Sequence, residues 1–180
     1  GDWYDGGLWQ DVFLHKWGTK NDLVKGSWDY LYRVIAQANK SLDKLNEILA
    51  KDPENTSVPK YISEVRAFRA LYYYYLLDMF ARVPLVTSST TAMADVEQSE
   101  RSVVFTFVKT ELEESVADLS DAHSNLPGEY YGRITKPVAY FLLAKLALNA
   151  EIYTDDNWTD GSKPDGKTIK FTVDGAEKNA

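Results

Sequence analysis

At 180 residues and 44% hydrophobic content the chain can bury one sizeable core, and its net charge of −7 with scattered Lys and Arg excludes phosphate-rich partners such as nucleic acid. The lack of cysteine excludes disulfides, thiolate metal sites and a cysteine nucleophile, and two histidines, His15 and His123, are too few for a multi-histidine metal centre. Five Trp, twelve Tyr and seven Phe suit a large helical core, sugar stacking, or both.

Residues 1–26 alternate Trp, Gly and Asp without a sustained period and read as an ordered loop or short helix. Ser27 is the expected N-cap of a first helix over 27–50, whose stripe is Trp28, Leu31, Tyr32, Ile35, Ala38, Leu42, Leu45 and Leu49. The turn cluster Asp52-Pro53-Glu54-Asn55 ends it, and a second helix follows over 58–82. Nearly every face of that helix is apolar or aromatic, so other helices should enclose it; Pro84 stops it near Arg82. Its four consecutive tyrosines, Tyr72 to Tyr75, point in four directions and are expected in the core rather than in one binding platform. Arg66 and Arg69, one turn apart, should satisfy carbonyls and acids inside the bundle.

A polar connection over 86–99 leads to a third helix over 102–123, with Val104, Val108, Leu112, Val116 and Leu119 inward and Glu111, Glu113, Glu114 and Asp118 on a solvated face. After the turn at 127–132, Thr135 should cap a fourth helix over 136–153 with Pro137 in its first turn and a stripe of Val138, Phe141, Leu142, Leu146 and Ile152. Thr168 to Val173 then alternates as a strand and meets the hairpin signal Asp174-Gly175, although no partner strand of comparable quality follows. The expected fold is all-α: antiparallel helix pairs at 27–82 and 100–154 in a tetratricopeptide-like array, after an irregular segment at 1–26 and before a loop and β-hairpin segment at 155–180. Phe68, Tyr72, Leu76, Leu112, Leu142 and Leu146 should be buried between the helices. Stacked repeats need about three units for a continuous core, so 1–180 is read as one helical domain with a further unit expected beyond Ala180.

Little in the chain suggests catalysis. The acids of the third helix lie on one helix rather than facing each other across a sugar, and neither histidine has a Ser and Asp arrangement near it. Asp155, Asn157, Asp160 and Asp165 fail the calcium-loop spacing, since the glycine required at the sixth position is Asp160 when counting starts at Asp155. No metal or cofactor is expected. Sugars bind through aromatic faces and polar rims, and Trp3, Tyr4, Asp5, Trp9 and Gln10 supply both on backbone bent by Gly6-Gly7. The competing reading makes the tryptophans plugs for the ends of the bundle, and exposure decides between the two.

Four stretches carry a family resemblance. They are Glu64 through Ala67, Arg69-Ala70-Leu71, Tyr73-Tyr74, Leu76 and Phe80 to Val83-Pro84-Leu85-Val86; Asp2-Trp3-Tyr4-Asp5-Gly6-Gly7 through Leu14-His15-Lys16-Trp17; Trp28, Tyr32, Ile35 and Ala38-Asn39; and Gly132-Arg133-Ile134-Thr135-Lys136 with Leu142-Leu143-Ala144-Lys145. Together they resemble the SusD/RagB family of surface glycan-binding lipoproteins, in the family's order from Gly1 to about Tyr153. The resemblance implies a tetratricopeptide-like helical fold and no enzymatic activity. It also implies lipid anchoring at the extracellular face of the outer membrane and pairing with a SusC-like TonB-dependent transporter to which a glycan or peptide is delivered. It places part of a glycan-binding site at Trp3, Tyr4 and Asp5, with Trp9 added from the same segment. The lipidated cysteine and the family's later half are missing from this chain. The alternative, from a different class, is a helical scaffold for protein–protein contact or a peptide-binding family member.

Overall fold

The computed structural model describes residues 5–180, without the side chains of Asp5 and Leu8. After a 3-10 turn at Asp5–Gly7, helix α1 covers Leu8–Phe13 and the long helix α2 covers Asp22–Lys51. α2 begins ahead of the expected Ser27 because Asn21 is the cap. Its Oδ1 accepts from the backbone N–H groups of Leu23 at 3.0 Å and Val24 at 3.2 Å, filling two of the donors a helix start leaves open. Ser27 sits inside the helix and donates from Oγ to the Leu23 carbonyl at 2.8 Å.

Helix α3 covers Val58–Phe80, with Asn55 Oδ1 accepting from the N–H groups of Ser57 and Val58 at its start. It stops at Ala81, whose φ of 62° turns the chain out of the helix, and Pro84 follows within strand β1, Val83–Pro84. β1 pairs antiparallel with β2, Gln98–Ser99, setting Val83 opposite Ser99. Residues 85–97 therefore form a loop closed at its base.

Helix α4 covers Arg101–Ser115 and is shorter than its apolar pattern suggested. A 3-10 turn at Val116–Asp118 succeeds it, and the chain then extends so that Leu119 enters the core from a non-helical backbone. Helix α5, Lys136–Leu148, is separated from the single turn α6, Ala150–Tyr153, at Asn149, where φ is −114° and ψ 12°. Thr135 occupies the N-cap position of α5, but its side chain makes no capping bond; its buried Oγ1 has no partner among the described residues.

Strand β3, Lys170–Val173, does find a partner. Strand β4, Ala176–Asn179, pairs with it antiparallel, Val173 opposite Ala176, across a turn in which Asp174 and Gly175 both take positive φ. β4 is exposed throughout, so it lacks the apolar alternation by which a strand is recognised in sequence.

α3 packs between α2 and α4, and α5 packs on the far side of α4, giving the all-α architecture of antiparallel helix pairs with two small β-ribbons. Ala67 and Ala70 are fully buried on α3, and such small side chains let neighbouring helices approach closely. Leu76, Leu112, Leu142 and Leu146 are buried as expected, whereas Phe68 and Tyr72 are half-buried, their rings 4.9 Å apart. Tyr73 and Tyr74 are core residues, but Tyr75 and Met79 are exposed, so α3 has one open side rather than full enclosure. Phe141 and Ile152 are exposed too, although they lie on the expected stripe. Phe171 brings the β3–β4 hairpin into the core against Phe105, and the Thr172 N–H donates to Glu113 Oε1 at 2.6 Å. Among the described residues no helix is long and apolar enough to cross a membrane.

Candidate ligand-binding site

The opening segment is bent where the sequence places its glycines. Gly6 (φ 65°) and Gly7 (φ 92°) both adopt the left-handed conformation that side chains resist, and the second directs the chain into α1. Trp3 and Tyr4, together with the side chain of Asp5, lie outside the described residues. Trp9, on α1, is 41% exposed. Past α1 the chain turns at His15 (φ 54°), whose ring lies 5.2 Å from that of Trp17, and Trp17 is 45% exposed. Trp9 and Trp17 are thus both partly open to solvent.

Beside α1 lies a polar cavity of about 490 Å³, lined by Gly6, Gly7, Gln10, Asp11, Lys20 and Asn21 with Asp22. Amide, carboxylate and ammonium groups converge there, a set that can both donate to and accept from hydroxyls. Gln10 lines this cavity; Trp9 is adjacent in the chain but does not line it. Lys20, Asn21 and Asp22 escaped the sequence reading because they belong to the true start of α2, which the pattern places at Ser27.

The other motif residues fasten the loop over 85–97. Tyr32 donates to the Pro84 carbonyl at 2.7 Å, and Asn39 Nδ2 to the Val86 carbonyl at 2.8 Å. The Tyr73 hydroxyl donates to the same Val86 carbonyl at 2.9 Å and accepts from the Val86 N–H at 2.8 Å; burial pushes its pKa up to about 12. Arg69 Nη1 spans Asn39 Oδ1 at 2.8 Å and the Thr87 carbonyl at 3.0 Å. At the outer end Asp43 accepts from the Ser89 hydroxyl and N–H, and these bonds hold its carboxyl below the usual carboxylate range. Residues spread over α2 and α3 thus satisfy one short run of backbone.

The arginine pair is internal, as expected from sequence. Arg66 Nε reaches Glu111 Oε1 at 2.8 Å, Arg66 Nη2 reaches Glu114 at 2.5 Å, and Arg69 reaches Glu111 Oε2 through Nε at 3.1 Å and Nη2 at 2.5 Å. This corrects the reading of Glu111 as part of a solvated face. Its side chain is 7% exposed, and that of Glu113, paired with Lys109 at 2.9 Å, is 12% exposed. Glu114 and Asp118 alone of the four acids lie in solvent. Glu111 falls three residues after Val108 and seven after Val104, so the apolar stripe itself carried the signal of its burial. Both Glu111 oxygens are held by guanidinium groups, and no group of three or more potential metal ligands is present among the described residues.

A family model described as starch-binding associating with outer membrane matches residues 2–148. The chain is 30% identical to the starch-binding protein SusD of Bacteroides thetaiotaomicron over 92 residues, which are 51% of this chain and 16% of that protein. Among solved structures, a laminarin-binding SusD-like protein is 30% identical with a TM-score of 0.58, over 71% of this chain and 27% of that one. A SusD superfamily protein of Parabacteroides distasonis is 25% identical with a TM-score of 0.68, over 79% of this chain and 30% of that one. The chain spans about a sixth of the length of the first of these and under a third of the other two.

Proposed function

The chain belongs to the SusD/RagB family, and on that premise we propose that it is the N-terminal helical part of a surface glycan-binding protein that captures an oligosaccharide and passes it uncleaved to a SusC-like TonB-dependent transporter. The full-length protein is then held at the extracellular face of the outer membrane by a lipid anchor. The observation that carries the reading is the family match across residues 2–148. The partly exposed Trp9 and the polar cavity that its neighbour Gln10 lines support it, since aromatic rings and mixed donors and acceptors are what a pyranose engages.

Trp3, Tyr4, Asp5 and Trp9 are the proposed contacts, the rings stacking on sugar faces and Asp5 accepting hydroxyl hydrogen bonds. The non-catalytic reading is supported by the engagement of Glu111 with two arginines and of Glu113 with Lys109, which leaves no free acid pair on α4 facing a second one. A panel of glycans and peptides titrated against the full-length protein tests the proposal. A retained glycan released unchanged is the expected result, with Trp3→Ala weakening it by about 1 to 2 kcal/mol at an unaltered melting temperature. Retention of peptides but no glycan, or release of shorter sugars on prolonged incubation, overturns it.

A further inference from the structure

A second concavity lies at the opposite end of α3 from the closed loop. Ser57, Lys60, Tyr61 and Glu64 recur at spacings of three and four residues, so the first turns of α3 present them on one face. Facing them are residues 117–121, which leave α4, and the turn at 129–134 that leads to α5. The groove between these walls has a volume of about 530 Å³, within the range of small-ligand sites.

Its chemistry is specific. Tyr61 is 49% exposed on one wall. Tyr130, half-buried on the other, has its ring fixed by the Arg133 guanidinium, whose Cζ stands 4.9 Å from the ring centroid. Arg133 crosses the groove as a fork, Nε to Glu64 Oε1 at 2.9 Å and Nη2 to Glu64 Oε2 at 2.6 Å, and ties the two walls together. Those bonds also raise the pKa of Arg133 above its ordinary value. Asp121 is engaged by Lys136 at 3.2 Å and Asp118 by Ser63 at 3.1 Å. The lining sets four carboxylates against two cations, which disfavours an anionic ligand, and none of these acids forms a group of three or more potential metal ligands among the described residues. What remains is a groove with two phenol rings and a rim of carboxylates and hydroxyls that can accept further hydrogen bonds. A neutral, polyhydroxylated chain matches that set, stacking on rings and donating from its hydroxyls.

We propose that this groove, between Tyr61 and Glu64 on α3 and Tyr130 and Arg133 before α5, is an accessory binding site for a neutral oligosaccharide, separate from the contacts on the opening segment. The choice of a sugar as ligand rests on the glycan-binding reading above. In this arrangement the tyrosines contact the ligand, and Arg133, held by Glu64, positions the ring of Tyr130.

Amide chemical shifts of the full isotope-labelled chain, followed during titration with linear α-glucan and β-glucan heptasaccharides, test the site. The expected result is movement of the Tyr61, Glu64, Tyr130 and Gly132 amides with one of the two sugars. Tyr61→Ala should weaken that response about tenfold and Tyr61→Trp, which keeps a ring, should preserve it. The melting temperature of both variants should match the parent, because Tyr61 is half exposed. Perturbation confined to residues 1–22 overturns the accessory site while leaving glycan binding intact, and an undiminished groove response in Tyr61→Ala overturns it as well. No perturbation anywhere by either sugar overturns the accessory site, while the glycan-capture reading stands or falls with the panel on the full-length protein.

Discussion

Glu111 shows how a single acid can organise a bundle. It accepts from Arg66 and Arg69 while the Arg69 fork continues to Asn39 and the Thr87 carbonyl, so one carboxylate joins α4, α3, α2 and the closed loop. Glu111→Ala would strand a guanidinium that is only 7% exposed, and a cost of about 3 to 5 kcal/mol in urea unfolding is expected. Glu114→Ala removes a partner that is 58% exposed and should cost less than about 1 kcal/mol in the same measurement. Asp43 supplies a pH dependence. Bonds from the Ser89 hydroxyl and then its N–H lower the folded pKa, so the stabilisation is fully present above the unfolded value of about 3.9 and disappears as pH falls through the folded one. Carboxyl-carbon NMR of Asp43 should therefore titrate below that value in the folded protein, and shift part of the way back toward it in the Ser89→Ala variant, in which the hydroxyl bond is gone and the backbone N–H bond stays. The arginines were readable as internal because two long cations on an apolar helix need partners inside. Their shared acid was obscured when four nearby acids were assigned to one face.

At the scale of elements, helix existence followed from periodicity and helix ends did not. The start of α2 is set by Asn21, and the end of α4 by the entry of Leu119 into the core on extended backbone. Leu142→Ala should cost about 2 to 5 kcal/mol through the cavity it opens between α5 and its neighbours. Phe171→Ala should cost a comparable amount, about 3 to 5 kcal/mol, because the hairpin enters the core through that ring, 3% exposed, and through the Thr172 bond to Glu113. Thr135→Val tests the idle cap. Its hydroxyl is buried without a partner among the described residues, so replacing it by a methyl group should raise stability by about 1 kcal/mol in denaturant unfolding, where a working cap would lower it. The β4 strand was illegible because all four of its residues are exposed, and its pairing is set by the turn at Asp174-Gly175 rather than by an apolar face.

For the molecule as a whole, the net charge of −7 and the excess of carboxylates over cations in the groove favour a neutral ligand over an anionic one. Raising salt from about 0.05 to 0.5 M should then change glycan affinity less than about twofold in calorimetric titration, where a charged ligand would respond steeply. The sequence by itself determined the helical class, the pairing of α2 with α3 across a short turn and the family, since these follow from local periodicity, proline and glycine placement, and motifs that survive as linear patterns. It also located the glycine-bent aromatic segment, whose strained backbone is a local property of Gly6 and Gly7. Only the tertiary structure decided which motif residues bind the closed loop, that Arg66 and Arg69 share Glu111, and that Tyr61, Glu64, Tyr130 and Arg133 meet across one groove. The hydrogen bonds among those relations join residues 13 to 69 positions apart in the chain, and no local period encodes a contact that exists only after the helices have packed.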